Sequence, residues 1–168
     1  MRFRIVQQFD SSAADVQQAY LDPAFLESMG SLPKLGAPQL LSEERTEGEV
    51  RRRIRFHFAG DLNSAVRAVV DPARLTWVEE STTFLPDLRT TWTIRPDHYA
   101  DKLAGHGESI IEPVGIGVGD PDASRRITTG EVKVKVFLVG SKVEGAIVSG
   151  MEEHAVLERA ALMTHLRG

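Results

Sequence analysis

The last third of the chain restricts its fold more than any other part. The segment 130–140, GEVKVKVFLVG, runs almost directly into 142–166, KVEGAIVSGMEEHAVLERAALMTHL. In the first, Val132, Val134 and Val136 alternate with Glu131, Lys133 and Lys135, the period of a half-buried strand. In the second, Val143, Ile147, Gly150, His154, Leu157 and Ala161 recur at steps of four and three, which traces one face of an α-helix. At about 1.5 Å per residue this helix spans roughly 37 Å, more than a small sheet needs for cover. A strand feeding so long a helix predicts a sheet wrapped around its final helix, a shape that leaves a hollow.

Upstream, Phe3, Ile5 and Phe9 share one face of a strand over 2–9, with Arg2, Arg4 and Gln8 on the other. Asp10, Ser11 and Ser12 offer N-caps to a helix with Asp15 in its first turn and Val16, Ala19 and Tyr20 on its apolar face. Asp22-Pro23 opens a second short helix carrying Phe25, Leu26 and Met29, and Gly30 ends it. After a loop over 31–38, segments 39–47 and 49–58 form a hairpin about Glu47-Gly48. Its second strand sends Val50, Arg52, Ile54, Phe56 and Phe58 one way and Arg51, Arg53, Arg55 and His57 the other. Segment 60–74 admits either a strand or a short covering helix through Val66, Val69 and Val70, and Asp71-Pro72 breaks it. Segments 75–84 and 88–95 make an antiparallel pair, with Trp77 on the face of Leu75 and Glu79, and Trp92 on that of Ile94. Residues 97–107 read as a polar turn, 107–114 as a weaker strand and 115–124 as a Gly/Asp/Pro loop before a last strand from about Arg125. The order is strand, two helices, about six strands and a long helix. Short turns between consecutive strands make this an α+β chain with an antiparallel sheet.

At 168 residues the chain is expected to form one domain, 1–168, with a sizeable core. A hydrophobic fraction of 42% and a charged fraction of 26% are ordinary for a soluble globular protein. The net charge of −4 favours neither nucleic acid nor an anionic membrane through overall charge. Absence of cysteine excludes disulfides and thiolate chemistry and fits a reducing compartment. No apolar run approaches the ~20 residues of a membrane span. MRFRIVQQFD lacks the apolar centre of a signal peptide, so a cytoplasmic protein without integral membrane association is expected.

FRIVQQFDSSAADVQQAYLDPAFLESM at the front and VKVKVFLVGSKVEGAIVSGMEEHAVLERAALMTHL at the back resemble the helix-grip fold of the START-like superfamily. That superfamily includes Bet v 1 and pathogenesis-related allergens, lipid-transfer START domains and polyketide cyclases. The final segment also resembles a mostly actinobacterial branch, through Leu138-Val139-Gly140 and Val143-Glu144. The resemblance implies a single curved antiparallel sheet wrapped around the C-terminal helix, with two short helices after the first strand. It further implies an apolar cavity between sheet and helix that binds or transports a small hydrophobic or amphipathic molecule such as a lipid, sterol or polyketide. Two alternatives stay open: a cyclase/aromatase-type or hydrolase-type enzyme on the same fold, and a protein–protein adaptor with a filled cavity.

The resembling motifs carry no catalytic residues. Candidate ligand-binding residues are Phe56, Trp77, Glu79, Trp92, Ile94, Ile147 and His154. The two tryptophans are either plain core or flat apolar walls. Glu79 either lies at a surface strand end or is a buried carboxyl with a raised pKa. His154 either bonds to water or backbone at the boundary, or faces a ligand from the cavity wall. Any catalysis is expected to depend on His154 or Glu79, since only inward positions can hold an acid or base against an enclosed substrate. His154 and Glu158, one turn apart, could share a metal, but no third ligand is spaced to join them; neither metal nor cofactor is expected. Arg51, Arg53, Arg55, Lys133 and Lys135, with Arg2, Arg4, Arg89 and Arg95, form a basic outer face. It could attract phosphates, or be solvated and paired with surface acids; without interleaved aromatics it does not read as a nucleic-acid surface. Gly115-Ile116-Gly117-Val118-Gly119 lacks the spacing of the dinucleotide fingerprint and reads as a hairpin loop.

Overall fold

The alternating and capped segments form the elements expected of them. The computed structural model describes residues 1–60, 62, 64–68, 70–114 and 123–168. It begins with β1 (Arg2–Phe9), α1 (Ala13–Leu21), α2 (Pro23–Ser28) and a 3-10 turn. There follow β2 (Gln39–Arg45), β3 (Glu49–His57), α3 (Ser64–Arg67), β4 (Thr76–Phe84), β5 (Arg89–Pro96), β6 (Leu103–Pro113), β7 (Ser124–Val134) and α4 (Gly140–Leu166). The strands make one antiparallel sheet in the order β1-β7-β6-β5-β4-β3-β2. Ser12 caps α1 by accepting the Asp15 N–H at 3.1 Å, and Asp22 caps α2 by accepting that of Ala24 at 2.9 Å. Helix α4 lies against β1 and β7, and α1 packs on α4, β6 and β7.

Arg52 ties α1 to the far half of the sheet. It points inward with Val50, Ile54 and Phe56 and is buried. Its guanidinium donates to the Tyr20 carbonyl at 3.1 Å and to that of Leu21, two carbonyls left open by the end of α1, and to Glu43 at 2.7 Å. A buried arginine is tolerated here because each part of its fork has an acceptor.

Two apolar clusters fill the interior. One gathers Phe9, Val16, Phe25, Leu26, Ile54, Phe56, Ile111 and Leu162. The other gathers Phe3, Trp92, Val132 and Val148, with Ile5, Ile94, Ile147 and Met151 packed on them. Gly107 and Gly130 sit opposite each other in the β6–β7 ladder, and Trp92 of β5 lies over both to stack on Phe3 of β1, ring centroids 6.2 Å apart. Side chains at those two positions would occupy the space the indole takes.

The structure corrects three expectations and decides one left open. The last strand was expected to reach Gly140 but ends at Val134, where its partner β6 also runs out at Leu103. The polar turn over 97–107 is shorter, because β6 starts at Leu103; His106 therefore stands in a strand, on the outer face. Of the two readings open for 60–74, the described part carries the short helix, while Val69 lies outside the described residues. On α4 the expected face holds near the start, where Val143 is buried and Ile147 half-buried, but farther on Leu157 is 36% exposed while Ala155 and Leu162 are buried. At about 3.6 residues per turn the buried positions Glu144, Val148, Ala155 and Leu162 share a face about a third of a turn round from the expected stripe, so Val143 and Ile147 lie at its edge and Leu157 beyond it.

Candidate functional site: a polar centre between aromatic walls

Antiparallel register places the inward side chains in rows. Trp77 and Glu79 of β4 lie beside Phe56 and Ile54 of β3, and Glu79 faces Ile94 of β5. Phe56 and Trp77 stack with centroids 5.8 Å apart. The next row is Ser81, Trp92, Gly107, Gly130 and Phe3. After it come Thr83, Thr90, Ser109 and Thr128, whose hydroxyls pair across strands at 2.9 Å (Thr83–Thr90) and 2.8 Å (Ser109–Thr128). Arg126 of β7 and Gln7 of β1 are cross-strand partners beyond that row.

Glu158 of α4 meets this polar floor. Its Oε2 accepts from Gln7 Nε2 at 3.0 Å, from the Tyr20 hydroxyl at 3.2 Å and from Arg126 Nη1 at 3.4 Å. Arg126 also donates to Gln7 Oε1 at 3.2 Å, and its Cζ lies 4.3 Å from the centroid of the Tyr20 ring. Gln7 Nε2 further bonds the Ala155 carbonyl at 2.8 Å, which fixes the helix to β1. Burial, then the Glu158 carboxylate, push the Tyr20 phenol far above its usual range, so it stays a neutral donor. Burial works against the Arg126 charge, but Tyr20, Glu158 and Glu79 outweigh it and keep the guanidinium charged.

Glu79 adds a further carboxyl to this interior. Burial pushes its carboxyl up to about 7, Arg126 draws it down and Glu158 pushes it up. It retains some solvent contact, as do inward-facing Trp77, Ser81 and Ile94 on the sheet and Ile147, Met151 and His154 on α4. The concave face is therefore lined but not sealed along these residues. His154 Nδ1 is buried and has no hydrogen-bond partner among the described residues.

Every candidate ligand-binding residue thus lies on the concave side or on α4. Phe56 and Trp77 form one wall with Glu79 next to them in β4; Trp92, Ile94 and Ile147 belong to the second apolar cluster. Among the described residues no group of three His, Asp or Glu side chains is placed to hold a metal. The basic outer face is largely paired: Arg51 with Glu49, Arg53 and Arg95 with Glu80, Arg55 with Asp97, Arg89 with Glu108. Lys135 sits past the end of β7 and not in it. The Gly115–Gly119 segment lies outside the described residues.

The family pattern described as "Protein of unknown function (DUF2505)" matches residues 4–166. The chain belongs to the DUF2505 family. No curated protein matches it. Among solved structures it is similar to TTHA0849 from Thermus thermophilus, at 14% identity and a TM-score of 0.69 over 99% of this chain and 97% of that one. It is similar to the Zhui aromatase/cyclase from Streptomyces sp. R1128, at 13% identity and a TM-score of 0.68 over 99% and 93%. Norcoclaurine synthase from Thalictrum flavum follows, at 13% identity and a TM-score of 0.61 over 99% and 86%. At such identities the likeness shows the fold, and this DUF2505 protein has the helix-grip fold.

Sequence reading did not pick out Gln7, Tyr20, Arg126 or the hydroxyl row as parts of the site. The signal for two of them was the strand period. Counting back by twos from Val134 and Val132 reaches Gly130, Thr128 and Arg126, and the face of Phe3, Ile5 and Phe9 includes Gln7.

Proposed function

We propose that residues 1–168 of this DUF2505 protein form a single START-like ligand-binding domain for a small amphipathic molecule, held between the sheet and α4. Aromatic walls flanking a charged and hydroxylic centre support this reading. A saturated acyl chain would offer no polar partner to the Glu79 carboxyl or to His154 Nδ1, neither of which has one among the described residues, and an unmet polar group is costly inside a protein. A flat, oxygenated ring system meets both surfaces, so a polyketide-like ligand fits better than a lipid or sterol. Phe56, Trp77, Trp92, Ile94 and Ile147 supply the apolar contacts, and Glu79 and His154 the polar ones. The domain is read as a cytoplasmic member of a mostly actinobacterial branch. Titration with hydroxylated polycycles is expected to quench tryptophan fluorescence saturably at micromolar levels, with Trp77→Phe removing much of the response. Equal or stronger responses to saturated fatty acids would reject the ring-system ligand.

The Glu79 carboxyl supports a second reading, an acid-base enzyme of the cyclase/aromatase type, because a group titrating near neutrality can both give and take a proton. Glu79 binds its proton more tightly in the folded chain than in the unfolded one. Folding stability contributed by this group therefore falls as pH climbs from about 4.5 to about 7, and the loss is complete above that window. Glu79→Gln is expected to be more stable than the wild type by about 1–3 kcal/mol at pH near 8, with the gap closing towards pH near 4, in urea unfolding. An activity, if assigned, should fall in the same variant. A gap independent of pH would place the Glu79 titration outside the folded interior.

A further inference from the structure

The turn between β7 and α4 carries the two most exposed large apolar side chains among the described residues, Phe137 at 88% and Leu138 at 82% exposure. Leu138 takes φ of 66°, a backbone conformation that branched side chains seldom adopt, so the chain turns there with both side chains outward. Four of the chain's five lysines surround this tip: Lys102, Lys133, Lys135 and Lys142. Lys135 N–H donates to the Lys102 carbonyl at 2.7 Å, which joins the β5–β6 turn to the β7–α4 turn. Lys133 is in the last two residues of β7 and Lys142 in the first turn of α4, and all four lysines are exposed. Glu144, the nearest acid on α4, is buried and turned inward, accepting the Val134 N–H at 2.8 Å. Asp101 and Glu131 are the other acids close by in sequence. A protein of net charge −4 therefore concentrates its lysines around one apolar point.

We propose that this tip is a peripheral docking site for an anionic lipid bilayer. Phe137 and Leu138 enter the boundary between headgroups and acyl chains, and the surrounding lysines meet the negative headgroups with their long stems lying along the surface. Two projecting side chains match a bilayer, which receives an apolar tip wherever it lands. A protein partner would need a far wider complementary patch. This contact is superficial and differs from the integral association that the sequence argues against. Leu103 and Val134, inward-facing and half-buried, pair at the sheet end next to the tip, so docking sets the rim of the concavity against the bilayer. The proposal stands apart from the ligand reading, because binding to vesicles requires no occupant of the interior.

The test is flotation with phosphatidylcholine vesicles, with and without phosphatidylserine. The wild-type chain is expected to float with the anionic vesicles roughly tenfold more than with the neutral ones, and to be released by high salt. Phe137→Asp with Leu138→Asp should abolish flotation while the thermal melt stays put. Lys135→Glu with Lys142→Glu, which leaves the apolar tip intact, should bring anionic binding down to the neutral level. Failure of the wild type to float, or flotation unchanged in both variants, overturns the proposal. So does a wild-type dimer that the tip variant converts to monomer in sedimentation equilibrium, since the tip would then join two copies of the chain.

Discussion

Gly107→Val is expected to cost on the order of 4 kcal/mol or more and to abolish the near-ultraviolet dichroism of the Phe3–Trp92 stack. A Cβ at Gly107 would stand 2.2 Å from the Thr129 carbonyl oxygen, 2.5 Å from Trp92 Cζ2 and 2.8 Å from the Gly130 Cα. Two of those three neighbours are backbone atoms of β7, which cannot move without breaking the ladder. The third is the edge of an indole held between the glycine pair and Phe3, so it has little room to retreat. Valine also adds two methyl groups that only a displaced Trp92 could admit. Gly150 gives the contrast within the same chain. It lies in the middle of α4 with nothing within 4 Å of its would-be Cβ, so Gly150→Ala should stabilise by about 0.5–1 kcal/mol through helix propensity alone. Urea unfolding of the two variants separates the meanings of glycine here: a floor for the indole in β6, an unfilled helix position in α4. A Gly107→Val chain as stable as the wild type would mean that Trp92 does not lie across the glycine pair.

The fold was legible because its signals are local and redundant. Period-two alternation over β1 and β3, the Ser12 and Asp22 caps and the long periodic segment of α4 each act within a few residues. What was not legible depends on partners distant in sequence. The end of β7 is set by where β6 begins, and β6 begins inside a stretch, Leu103–Gly107, whose two glycines and histidine have little strand propensity. The pairing to β7, with Ile94 over Gly105 and the Trp92 indole over Gly107, makes those glycines suitable there. The turn of α4 about its own axis is likewise decided by β1 and β7, through bonds such as Gln7 to the Ala155 carbonyl.

The site was half legible for a related reason. Trp77, Glu79, Trp92 and Ile94 are conspicuous residues in clean alternation, so their shared face could be read off. Arg126, Gln7 and the Ser/Thr row have side chains that usually point to water, and a reading that sorts positions by polarity sends them outward. They turn inward because they satisfy one another: Arg126 and Gln7 with Glu158, Ser109 with Thr128, Thr83 with Thr90. Inward polarity of this kind shows itself in sequence only when parity is followed past the apolar residues.

Arg126→Met tests whether that polar centre is one interacting unit. The substitution keeps a long apolar stem against the Tyr20 ring but removes the charge beside Glu158. Glu158 would keep Gln7 and Tyr20 as donors and lose its only cation among the described bonds. Removing one member of a buried ion pair costs about 3–5 kcal/mol, and the Arg126 side chain is 20% exposed, so a loss of about 2–4 kcal/mol is expected. Glu158→Leu in the same chain should recover part of it, because the stranded carboxylate is then gone; the coupling from the double-mutant cycle should exceed ~1 kcal/mol. Arg126→Lys retains a charge but neither the fork nor the stacking plane, and should fall between the two. The same substitution reaches Glu79. Arg126 draws the Glu79 carboxyl down, so its removal should move that titration above about 7 and extend upward the pH window over which folding stability declines. A single-variant cost under ~1 kcal/mol, with no coupling to Glu158 and no movement of the pH window, would mean that these groups are neighbours without being partners.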